Sequence, residues 1–167
     1  MKNRENVYKW VVLVFILDQI FKILVQRTMN LYQEISIIPK FFSICYVRNS
    51  GAAFSILEDA TLLLIVISVL FIIVIDKTIK KEEPNLNKLS ILSLGMIIGG
   101  IFGNLIDRIL YKSVIDFISF TFGSYHFPIF NIADIGITVG VLLLFIDYLR
   151  KDKNKEKQND WWIYKVL

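Results

Sequence analysis

The sequence predicts an all-α integral membrane protein, a four-transmembrane-helix bundle carrying a small extracytoplasmic region of strands and loops. Three observations lead there. Four apolar runs stand at about residues 8–25, 60–75, 89–109 and 132–149. Each is near the roughly 20 residues a helix needs to cross about 30 Å of hydrocarbon. Next, 55% of the 167 residues are hydrophobic and mean hydropathy is +0.57, so four such runs leave too little polar surface for a soluble core. Finally, most of the basic residues lie between and beyond the runs. That placement fits membrane flanks, and it argues against the nucleic-acid partner that a net charge of +4 could suggest. In lipid the backbone must satisfy its own hydrogen bonds, so each run is a helix.

Residues 1–150 are expected to form a single membrane-embedded domain, and 151–167 a cytoplasmic tail. Most of the 19 Lys and Arg fall in three places. These are the N-terminus (Lys2, Arg4, Lys9), the loop after the second run (Lys77, Lys80, Lys81, Lys88) and the tail from Arg150 onward. The positive-inside rule puts both termini in the cytoplasm.

Helix one contains Asp18-Gln19-Ile20-Phe21-Lys22. Asp18 and Lys22 share a face and can pair. They are either a couple snorkelling near the interface, or Asp18 helps shape a polar pocket. They interrupt the run, and no small-x-small site follows, so a cleavable signal peptide is not expected. In the outer loop, residues 32–38 and 41–47 are rich in aromatic and β-branched side chains around Pro39, and read as two short strands or a hairpin. Phe41, Phe42 and Tyr46 suit the headgroup level. The single cysteine, Cys45, excludes an internal disulfide and reads as a small apolar filler. Arg48-Asn49-Ser50-Gly51-Ala52-Ala53-Phe54 has turn chemistry and small residues for close backbone approach. It is either a plain turn, or Asn49 offers amide hydrogen bonds to an extended peptide.

Helix two is Leu, Ile, Val and Phe, a lipid-facing scaffold, with Asp76 at its inner end. Helix three repeats glycine at Gly95, Gly99 and Gly103, two overlapping GxxxG motifs that let another chain approach. Its outer end turns polar with Asn104, Asp107 and Arg108. These form either a network that fixes the helix end or a support for Asp116, which lies in an extended segment at about 113–119. Gly123-Ser124 marks a turn. His126 has no Cys or His partners at ligand spacing, so no metal site is expected. Helix four begins near Asn131. Asn is a good N-cap and Asp134 suits the positive helix end, so capping alone could account for both. The charged tail is expected to start disordered and closes with Trp161-Trp162-Ile163-Tyr164, which could touch the membrane interface.

Topology places Asp116 and Asp134 at one outer face. Two carboxyls within reach cannot comfortably both ionise, so one keeps a proton. The charged member can activate water, and the protonated member can polarise a carbonyl. The helix N-terminus favours Asp134 as the charged member.

These blocks resemble the lipoprotein signal peptidases (signal peptidase II) of bacteria. The resemblance rests on Asp18-Gln19 with Lys22, Arg48 to Phe54, Gly99-Gly100 through Gly103 to Arg108, Val114 to Ile118, and Phe127 to Asp134, all in family order. It implies four transmembrane helices with an outer β-cradle. It also implies an aspartic endopeptidase without cofactor or metal, in the bacterial cell membrane with its site at the extracytoplasmic face. The expected partners are diacylglyceryl-modified prolipoproteins, cut just before the lipidated cysteine, and membrane lipid; a monomer is expected. Asp116 and Asp134 become the catalytic pair. Asn49, Asn104, Arg108 and Asn131 are expected to line the site and contact substrate, with Asp18 in support. The Gly face of helix three and the Gly51-Ala52-Ala53 turn are expected to admit the substrate closely. Two positions depart from the family pattern: Ile135 where Ser is usual, and Phe21 where Thr is usual. The competing classes are a small transporter relaying protons through the same acids, and a scaffold packing through GxxxG.

Overall fold

The computed structural model describes the backbone of residues 2–51 and 60–166, and side chains to residue 152. Four helices and a four-stranded antiparallel sheet follow the chain as α1 (Lys2–Thr28), β1 (Glu34–Ile38), β2 (Phe42–Asn49), α2 (Thr61–Glu82), α3 (Lys88–Tyr111), β3 (Val114–Phe122), β4 (Tyr125–His126) and α4 (Ile132–Val166). Ala52, Ala53 and Phe54 of the expected turn lie outside the described residues.

Among the described residues, three helices are long and apolar enough to cross a membrane, spanning Thr61–Asn85, Lys88–Tyr111 and Ile132–Asp152. The charges within α1 keep it below that composition. Helix α3 is central and packs against α1, α4 and α2. Glycines make its two contact faces. A Cβ on Gly99 would strike the Val11 carbonyl and Val14 of α1, and one on Gly100 would strike the Ala133 carbonyl of α4. Gly140 of α4 faces the Ser93 carbonyl in the same way. The Gly95/Gly99/Gly103 face is therefore filled by α1 and is not open to substrate, which corrects the expectation from the motif. Helix–helix contact in lipid depends on close packing, and the small residues are spent there. Helix α2 buries only Leu64 and Ile79, as its uniform apolar surface predicts.

The tail is a further correction. Helix α4 continues to Val166 instead of breaking near residue 150. No Gly or Pro occurs after Gly140, and the Lys, Glu and Gln there are good helix formers.

The sheet runs in the order β1-β2-β3-β4. The hairpin expected from residues 32–47 forms, turning through Pro39 and Lys40, and β2 pairs with β3. The pairing sets Asn49 opposite Val114 and Val47 opposite Asp116. Strand β4 was not expected; it is the short return after Gly123, whose φ of +64 suits glycine. Two apolar clusters hold the bundle. Val7, Ile79, Ile91, Leu94 and Ile98 pack at the end of the N-terminus. At the other end, Val25 of α1 and Met29 just beyond it meet Tyr46, Ile115 and Phe117 of the sheet. A buried polar layer lies between them.

Candidate active site

The polar layer begins with Lys22. Its side chain is 1% exposed, so it does not snorkel. Nζ pairs with Asp18 Oδ2 at 2.8 Å and Asp107 Oδ2 at 2.9 Å, and donates to Asn104 Oδ1 at 2.9 Å. Gln19 Nε2 donates to Asp18 at 3.2 Å and to Asp107 at 3.1 Å. Both carboxylates have one more task. Asp18 Oδ1 accepts the backbone N–H of Ala133 at 2.8 Å, and Asp107 Oδ2 accepts that of Ile115 at 3.1 Å. Ala133 precedes Asp134, and Ile115 precedes Asp116. The charged cluster thus latches the backbone immediately before each candidate acid.

Asn131 joins the two acids. Its Nδ2 donates to Asp116 Oδ1 at 2.7 Å and to Asn104 Oδ1 at 3.1 Å. Its Oδ1 accepts the Asp134 N–H at 3.0 Å, while Asp134 Oδ2 accepts the Asn131 N–H at 3.1 Å. That reciprocal pair is a capping box built from Asn and Asp. Capping and site-building are therefore one arrangement. Asn104 Nδ2 donates to Asp134 Oδ1 at 2.8 Å, and Asn49 Nδ2 to Asp116 Oδ2 at 3.1 Å. Because Lys22 and Asn131 both donate to Asn104 Oδ1, the Asn104 amide must turn its NH2 toward Asp134.

Asp116 is 3% exposed. Burial first, then the charge of Asp134, push its carboxyl up to about 7 against the amides of Asn49 and Asn131.

Asp116 and Asp134 open into a cavity of about 530 Å³ with Asn49, Asn104 and Arg108. Its remaining wall is mainly apolar, made by Val114, the Phe127–Phe130 segment and one side of α4. One expectation changes here. Asn131 is fully buried and does not line the cavity, because its side-chain atoms are committed to neighbours. Asp18 also lies behind the wall. Arg108 donates to the Gly51 carbonyl at 3.0 Å, and its buried Nε has no partner among the described residues.

The sequence reading paired Lys22 with Asp18 but gave neither Lys22 nor Gln19 a site role, and it passed over the α4 positions Ile137, Thr138 and Val139. A signal for the last three was available: Thr138 lies one helical turn beyond Asp134. Ile135 lines the cavity and is 37% exposed. Phe21 stacks on Phe117, the residue after Asp116, with centroids 6.3 Å apart. His126 contacts Thr121 at 3.1 Å on the exposed hairpin, a structural place. Cys45 is buried, and burial pushes its thiol up to about 12, so it is a filler and no nucleophile.

Known proteins resemble this chain along nearly its whole length. Residues 10–150 match the family described as Signal peptidase (SPase) II. The chain is 43% identical to the lipoprotein signal peptidase of Geobacter sulfurreducens, over 93% of this chain and 99% of that one. It is 39% identical to that of Geobacter metallireducens, over 95% and 100%. A bacterial membrane enzyme solved by the in meso method at 2.3 Å resolution superposes with a TM-score of 0.81 at 34% identity, covering 89% of this chain and 90% of that one. On this agreement along nearly its whole length, the chain belongs to the signal peptidase II family.

Proposed function

We propose that this protein is an aspartic endopeptidase that removes the signal peptide from diacylglyceryl-modified prolipoproteins, cutting just before the lipidated cysteine. The observation that carries the reading is Asn131, whose amide holds Asp116 while its capping box holds Asp134 at the head of one cavity. Asp116, raised to about 7, holds the proton at the start. Asp134 takes a proton from water, and the water oxygen bonds to the scissile carbonyl carbon. Asp116 gives its proton to the carbonyl oxygen. The C–N bond then breaks, the leaving nitrogen receives the proton from Asp134, and the intermediate's hydroxyl returns one to Asp116. The guanidinium of Arg108 and the amide of Asn49, which line the cavity, are donors for the peptide. The apolar wall along α4 suits the lipid chains and small residues of the substrate.

The protein acts as a monomer spanning the bacterial cell membrane four times, with both termini cytoplasmic and the sheet outside. Support for α1 as the fourth span is that its mid-helix charges Asp18 and Lys22 are buried while Leu13, Ile16, Leu17, Ile20, Phe21, Ile23 and Leu24 are exposed. Asp18, Asp107, Asp116 and Asp134 cluster at one end of the bundle, so a proton path through the bilayer is not favoured.

The test is cleavage of a lipidated prolipoprotein by purified protein. Asp116→Asn and Asp134→Asn should each lower turnover by at least about 100-fold, the lower range for a lost general acid or base. Wild-type cleavage by either variant refutes the two-aspartate chemistry.

A further inference from the structure

At the opposite end of the helices a second cavity, of about 560 Å³, opens between α1 and α3. Its walls are Trp10 and Leu13 of α1 with Ile91 and Leu92 of α3, and its polar groups are Asn6, Lys9 and Lys88. Two ammonium groups line it and no carboxylate does. Lys9 and Lys88 are both exposed, and Lys9 Nζ contacts Asn6 Oδ1 at 3.5 Å. The groove exists because α1 and α3 meet closely just there: a Cβ on Gly95 would strike Trp10. Trp10 and Leu13 remain 39% and 44% exposed, so the groove faces whatever surrounds the bundle. Lys88 lies about 24 Å along α3 from Asn104, at 1.5 Å per residue, so this place is separate from the acid pair.

We propose that this groove binds one anionic phospholipid of the cytoplasmic leaflet. The inference rests on the membrane placement proposed above. Lys9 and Lys88 meet the phosphate, Asn6 and the indole of Trp10 sit at headgroup level, and an acyl chain lies along Leu13, Ile91 and Leu92. Basic pockets between membrane helices on the cytoplasmic side recognise anionic headgroups in this way. A zwitterionic lipid carries its own ammonium group and gains less from two lysines.

The test reconstitutes the full chain in nanodiscs of equal phosphatidylglycerol and phosphatidylcholine, then measures lipids retained by native mass spectrometry after detergent transfer. Wild type should keep one phosphatidylglycerol in preference to phosphatidylcholine. The Lys9→Gln/Lys88→Gln variant should lose that preference by about 30-fold, the combined effect of two lysines near a charged surface. Lys77→Gln/Lys81→Gln, on the same side but outside the groove, should keep it. A second readout uses Trp10 fluorescence in a Trp161→Phe/Trp162→Phe background. Phosphatidylglycerol brominated on its acyl chain should quench it, and sodium phosphate should neither quench it nor compete. Equal retention of both lipids, equal loss in the Lys77/Lys81 control, or displacement by free phosphate overturns the proposal. Failure of the chain to enter the bilayer overturns the membrane placement and this inference with it. Insertion and normal prolipoprotein cleavage without lipid preference overturn this inference alone.

Discussion

Asn131→Ser separates the two tasks of one side chain. Serine caps a helix about as well as asparagine, so the bond to the Asp134 N–H survives. What disappears is the amide that donates to Asp116 Oδ1 at 2.7 Å. Asp116 becomes charged as it gives its proton to the carbonyl oxygen, and a hydrogen bond to a charged group contributes about 1.5–3 kcal/mol, which corresponds to a fall in kcat/KM of roughly 10- to 150-fold. The amide also holds the Asp116 carboxyl down against burial. Without it that carboxyl rises further above 7, so the alkaline limb of the pH–kcat/KM profile moves to higher pH. Asn131→Ala should lose the same activity and, through the lost cap, about 1 kcal/mol more stability. The assay is cleavage of a lipidated prolipoprotein from pH 5 to 9, beside thermal unfolding of both variants. Wild-type kcat/KM with an unmoved limb in Asn131→Ser refutes the bridge and leaves Asn131 as a cap alone.

Three further outcomes are expected. The Asp116 carboxyl is raised from the ordinary 3.8 to about 7, so its contribution to stability is present below pH 3.8 and is lost as pH rises to about 7. Thermal unfolding of wild type should therefore fall relative to Asp116→Asn across pH 4–7 and run parallel above it; a constant difference would refute the raised carboxyl. Lys22→Met leaves Asp18 and Asp107 buried without their cation, a loss of about 3–5 kcal/mol. It should lower the unfolding temperature by several degrees and activity with it, and an unchanged melting curve would remove Lys22 from the latch. Ile135→Ser restores the residue usual in the family at a cavity-lining position. The variant should cleave prolipoprotein, and a folded but inactive protein would show that Ile135 is needed here.

Much of the fold was legible because its signals are local. An α2 of Leu, Ile, Val and Phe suits a lipid-facing place, and residues 32–47 gather aromatic and β-branched side chains on both sides of Pro39, as a hairpin does. The Asp18–Lys22 pair follows from their spacing, but its depth does not: the same two residues four apart fit an exposed couple or a buried one. Arg108 and Asn104 were found by polarity at a helix end. Strand β4 escaped because two residues carry no periodicity. The glycines of α3 were noticed, yet a glycine face says only that something approaches closely; that α1 occupies it needs the three-helix arrangement.

The sequence by itself determined that this is a membrane protein of helical runs, with Asp116 and Asp134 at one end. Hydropathy is a sum over neighbouring residues, and an acid at the mouth of an apolar helix stands out without any fold. Tertiary structure decided how the acids are held. The Ala133 N–H reaches a carboxylate 115 residues away, and the Ile115 N–H reaches one on the preceding helix. It also turned Asn131 inward as a bridge behind the cavity. A hydrogen bond needs a distance near 3 Å and an aligned donor, and across helices only the packing of α1, α3 and α4 sets both.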